Sequence, residues 1–109
     1  MQDNLTTKTC LLVGLKSVIA EETKSHITSK NIKVFIATNL LEVKEILPRH
    51  LVNIVIMGAG LELRDRLSIV QYIFENSDTI TVHMKDRASG SHGFVGFINN
   101  VLDGFLKDR

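Results

Sequence analysis

Short apolar runs alternate along this chain with longer stretches in which apolar residues recur every three or four positions. The short runs predict strands at Thr9–Val13 (TCLLV), Lys33–Ala37 (KVFIA), Val52–Met57 (VNIVIM) and Thr79–Met84 (TITVHM). Between them the spacing predicts helices. The first starts near Ser17 and runs to about Ser29, with Val18, Ile19, Thr23 and Ile27 as its inner stripe. The second begins after Asn39, an N-cap residue with Glu42 three positions on, and stops at Pro48, the only proline. Gly58-Ala59-Gly60 breaks the third strand, and Leu63, Leu67, Val70 and Phe74 then mark an amphipathic helix. Asn76-Ser77-Asp78 turns the chain into the fourth strand, and a last helix spans about Phe94 to Leu106.

Strands that alternate with helices imply parallel pairing through right-handed crossovers, with helices on both faces. The expected fold is α/β, a three-layer αβα sandwich around a four-stranded parallel sheet. Two strand orders compete, 2-1-3-4 (flavodoxin-like) and 3-2-1-4 (half of a Rossmann-like fold). VNIVIM is apolar on both faces, as an interior strand requires. TITVHM alternates, with Ile80, Val82 and Met84 on one face and Thr79, Thr81 and His83 on the other, which suits an edge. Only 2-1-3-4 satisfies both.

The 109 residues fit one domain, 9–109, after a polar tail over residues 1–8. Net charge is +1 with the two signs interspersed, so no electrostatic footprint for nucleic acid or an anionic membrane is present. There is no Trp, and aromatics make up 6% of the chain, which argues against base-stacking platforms. Cys10 is the single cysteine, so an intrachain disulfide is impossible. It is expected in the core. The opening MQDNLTTK does not read as a signal peptide, and no apolar run approaches the roughly 20 residues that span a bilayer. The expected location is the cytoplasm.

The segment His50–Ile73, HLVNIVIMGAGLELRDRLSIVQYI, resembles the third strand, loop and third helix of response-regulator receiver domains, and the element order is similar. The resemblance implies a flavodoxin-like fold and a regulatory role. The acidic pair that receivers carry after the first strand is replaced by Val13-Gly14-Leu15. The position of the phosphoacceptor aspartate falls on Met57 or Gly58, and a fifth strand with its lysine is missing. Those carboxylates are the hard ligands that Mg²⁺ requires. The expectation is therefore a shortened, degenerate receiver-like domain that is not phosphorylated at an aspartate. A second segment, IVIMGAGLEL, resembles dinucleotide-binding folds through Gly58 and Gly60. Leu63 stands at the third glycine position, and the glycines follow strand three rather than strand one. A sharp turn into a helix accounts for them as well.

Candidate chemistry gathers beyond the carboxyl ends of the strands, where ligands bind in parallel α/β sheets. Lys85, Arg87, Ser89, Gly90, Ser91 and His92 form a loop directly before the last helix. They can hold a phosphate or carboxylate, or serve as a solvated connection. Lys16, Gly58 and Gly60 are expected at the same end. In VGLKS the lysine and serine open a helix without the glycines of a phosphate-binding loop, so a structural cap is expected. Arg64-Asp65-Arg66 reads as the wet face of the third helix, and His26 and His50 as solvated. No complete catalytic set or zinc-ligand spacing is recognised, and no cofactor is named. In the last helix, Phe94, Phe97, Val101 and Phe105 make a wide apolar surface that suggests a homodimer. Two functions follow: a non-catalytic regulatory or protein-interaction module, or a small enzyme or sensor that binds an anionic metabolite or nucleotide.

Overall fold

A computed structural model of the protein describes residues 7–27, 31–58, 60–85 and 94–107, and of these the side chains of residues 17, 94 and 107 are not described. The elements run β1 (Lys8–Val13), α1 (Ser17–Ser25), β2 (Ile32–Ala37), α2 (Leu40–Ile46), β3 (Ile54–Met57), α3 (Leu63–Asn76), β4 (Thr81–Met84) and α4 (Phe94–Lys107). The sheet is parallel throughout, in the order β2-β1-β3-β4. This is the flavodoxin-like sandwich expected from the two-sided apolarity of the third strand and the alternation of the fourth.

The strand pleat divides the core in two. Leu11 and Val13 of β1 and Val55 and Met57 of β3 face one side, where Val43 of α2 and Ile69 and Ile73 of α3 cover them. Cys10, Leu12, Ile54 and Ile56 face the other, beneath Ala20 of α1 and Ile98 and Leu102 of α4. Strand register ties the halves together, with Cys10 opposite Ile54 and Val13 opposite Met57.

Polar groups fix the strand ends. The Asn53 side chain accepts the Thr9 N–H at 2.7 Å. Its own N–H donates to Thr9 O, and its carbonyl accepts the Thr81 N–H. One residue thus joins the starts of β1, β3 and β4. At the other end, Asn39 caps α2 by accepting the Glu42 N–H at 2.9 Å. The Glu42 carboxylate accepts the N–H and hydroxyl of Thr38, one residue earlier than a capping box predicts.

Three helix faces differ from the sequence reading. In α1, Val18 is 80% exposed and Ile19 is also exposed, against expectation, and Ala20 is buried in their place, while Thr23 turns inward as expected. In α3, Leu63, Leu67 and Phe74 point to solvent, and Arg66, Ile69 and Ile73 are buried. The outward stripe is displaced by about a quarter turn from the buried one, at 100° per residue. The helix is apolar over a wide arc, and the crossover between β3 and β4 selects which part meets the sheet. Arg66 therefore does not belong to a wet face, although Arg64 and Asp65 do. In α4, Ile98 and Leu102 are buried, and Phe97, Val101 and Phe105 pack partly buried on the same core. None of the exposed large apolar side chains among the described residues lies on α4.

Cys10 is fully buried in β1, and desolvation pushes its thiol from 9.0 up to about 12. The folded state thus keeps a proton that the unfolded chain releases above pH 9, so stability falls as pH rises from about 9 to about 12. The slope from this group is about 1.4 kcal/mol per pH unit. Denaturant titrations between pH 8 and 11 should show this loss in the wild type and its removal in Cys10→Ala. Parallel pH profiles in the two proteins would contradict it.

Candidate functional site

The C-terminal end of the sheet brings the first and third loops into contact. Gly58 N–H donates to Val13 O at 2.8 Å, and Gly14 N–H donates to Ala37 O at 3.2 Å. Gly14 has φ +89°, a left-handed conformation that favours glycine. A side chain at Gly60 would run into the carbonyl oxygen of Gly14, so Gly60 permits a direct backbone approach. Leu15 is buried beside this contact, and Leu61 packs against the core. In this fold the crevice between β1 and β3 is the usual ligand position. Here glycine-mediated packing and two leucines occupy it. Val13, Gly14, Leu15, Met57 and Gly58, which stand where a receiver places its carboxylates, are all buried.

The other sequence candidates divide. Lys16 is exposed at the N-cap position of α1 and makes no side-chain cap, so the expected structural cap at this helix start is not formed by it. Lys85 follows β4, is only 6% exposed, and donates its N–H to Met57 O at 3.0 Å. Arg87, Ser89, Gly90, Ser91 and His92 lie outside the described residues. His26 and His50 are exposed, as expected, and His83 is half-buried.

Lys85 has an unexpected counterpart in Arg66, on the inner face of α3 within its first turns and 8% exposed. Its Nε has no hydrogen-bond partner. Both cations belong to the C-terminal end of the β3–β4 half of the sheet, because α3 starts there and Lys85 follows the last β4 residue. Glu62 holds the N-cap position of α3 without a side-chain cap bond. Arg66, buried with an unpaired Nε in the first turns of a helix whose N-cap makes no side-chain bond, can receive an anion. One signal in the chain points to Arg66, its position three and seven residues before Ile69 and Ile73, but the neighbouring Leu63–Leu67 stripe is the stronger pattern.

Among the described residues no group of three or more His, Cys, Asp or Glu side chains is placed to hold a metal ion. Nor is any described helix long and apolar enough to cross a membrane. No protein-family model matches the chain, and neither a curated protein nor a solved structure matches it.

A dry, unpaired donor such as Arg66 Nε costs about 1–3 kcal/mol. Arg66→Met keeps an unbranched apolar stem there and should raise the urea midpoint in anion-poor buffer at unchanged slope. A lower midpoint would contradict the unpaired state.

Proposed function

We propose that this chain is a non-catalytic contact module of receiver-like fold that pairs with a second copy of itself through the outer face of α3. The observation that carries the reading is the stripe of Leu63, Leu67 and Phe74, exposed to 56%, 54% and 51%. Large apolar side chains in a row on one helix are a mark of an interface. Val70 continues the row, half-buried. Met84 of the edge strand β4 adds another exposed apolar side chain. A twofold pairing with antiparallel α3 helices would bring Arg64 near one end towards Glu75 of the second copy near the other, so charge and apolar pattern agree. A surface on α4, the other candidate for self-association, has less to offer because Phe97, Val101 and Phe105 already pack on their own sheet. The single buried cysteine fits a reducing, cytoplasmic setting.

A second reading is an anion-binding sensor at the C-terminal end of the sheet. Buried Arg66 and Lys85 favour it. In that reading Lys16 and Arg87, Ser89, Gly90, Ser91 and His92 complete the ligand contacts. A phosphate-dependent rise in melting temperature that is lost in Arg66→Met would favour it, because ligand binding stabilises the native state by mass action.

Sedimentation velocity across a concentration series tests the first reading. The wild type should shift from monomer to dimer. Leu67→Glu should weaken the association by about ten-fold or more, since an unpaired buried carboxylate costs more than about 1.4 kcal/mol. Val18→Glu, on the exposed face of α1, should leave association unchanged. A wild type that stays monomeric throughout would contradict the reading.

The receiver-like but unphosphorylated character has its own test. With Val13–Leu15 and Met57–Gly58 in place of the acidic cluster, incubation with acetyl phosphate and Mg²⁺ should leave the intact mass unchanged. A Mg²⁺-dependent phosphoryl adduct would overturn that part of the proposal.

A further inference from the structure

The opposite, N-terminal end of the sheet carries a cleft of about 330 Å³ whose lining is strongly one-sided in charge. Lys8, Lys33 and Arg49 line it together with His50, and among the described residues no aspartate or glutamate does. The chain as a whole has 13 basic and 12 acidic residues, so this local excess is not a reflection of composition.

The cleft follows from the length of α2. Seven helical residues rise about 10 Å. The six residues of β2 beneath extend about 20 Å. Because α2 starts near the C-terminal end of the strands and runs back, it leaves the first residues of β2 uncovered. The turn after it forms the rim. Arg49 and His50 N–H groups both donate to Ile46 O, at 3.0 and 3.2 Å, which fixes the backbone from which the two side chains leave. Parallel register then sets Lys33 beside Thr9 and Phe35 beside Leu11.

The floor is aromatic. The rings of Phe35 and His50 lie with centroids 4.1 Å apart at 32°. Lys33 Nζ stands 5.2 Å from the Phe35 centroid. Phe35 is itself anchored on the core. Asn53, whose Oδ1 accepts the Thr9 N–H, lines the cleft as well. Cations and an aromatic shelf therefore line a volume at the lower end of small-molecule sites.

We propose that this cleft binds a phosphate ester bearing a planar ring, of mononucleotide size, with the phosphate held by Lys33 and Arg49 and the ring lying along Phe35 and His50. The proposal is independent of self-association through α3 and of the cations at the other end of the sheet. Cation–phosphate hydrogen bonds supply the charge recognition, and stacking supplies the preference for a ring.

The experiment is an NMR titration of the full chain with AMP, adenosine and inorganic phosphate as separate probes. AMP should give saturable shifts at Lys8, Lys33, Phe35, Arg49, His50 and Asn53. Adenosine and inorganic phosphate should each bind at least about ten-fold more weakly, since each lacks one half of the recognition. Arg49→Gln and Lys33→Gln, both at exposed positions, should each weaken AMP by about ten-fold, the loss expected for one charge-assisted hydrogen bond. Lys24→Gln, at an exposed position of α1, should bind AMP as the wild type does. The proposal is overturned if AMP gives no saturable shifts, if inorganic phosphate binds as tightly as AMP, or if the shifts fall at Lys16, Gly58 and Lys85 instead. AMP binding that is unchanged in both cleft variants would also overturn it.

Discussion

β1 and β3 lie side by side with apolar side chains pointing both ways, and neither face can be left in water. That two-sided burial is the constraint on which the other elements depend. It requires a helical layer on each side, which α2 with α3 and α1 with α4 provide. It also makes the flanking strands β2 and β4 the natural places for partly exposed residues. Cys10 illustrates the strength of the constraint, since its thiol is held far from water inside the central strand.

The same packing governs where chemistry can be. At the β1–β3 crevice the backbone itself closes the space, with Gly60 against Gly14 and Leu15 buried alongside. Polar and charged groups are left to the margins. Arg66 and Lys85 are drawn under α3 and the end of β4, whereas Lys33 and Arg49 stand around the cleft that the short α2 leaves open. The α3 stripe is a third margin, because a helix apolar over half its circumference cannot bury all of it against a sheet that ends one strand later. Our reading of the protein as a contact module rests on that excess.

Fold and strand order were legible because they depend on local pattern. VNIVIM carries its two-sided burial in its own composition, and TITVHM carries its alternation. Helix orientation was less legible. The row of Leu63, Leu67, Val70 and Phe74 correctly marks a helix, but Ile69, Ile73 and Tyr72 give nearly as good a row. Only crossover geometry decides between them. The same ambiguity turned Val18 and Ile19 outward and Ala20 inward in α1. Among the candidate site residues, Lys85 was placed at the correct end of the sheet, but its burial was not foreseeable from a charged residue in a loop-like stretch. The N-terminal cleft could not be read at all, because Lys33, Arg49 and His50 come to one cleft only through strand register and the length of α2.

The central claim is that the outer face of α3 is a contact surface rather than a solvated one. Methyl NMR with a soluble paramagnetic agent, recorded over a range of protein concentrations, tests it residue by residue. The account predicts that the methyl signals of Leu63 and Leu67 become protected from the agent as concentration rises, while those of Val18 on α1 stay fully accessible. Leu63 and Leu67 methyls that remain as accessible as Val18 at every concentration would contradict it.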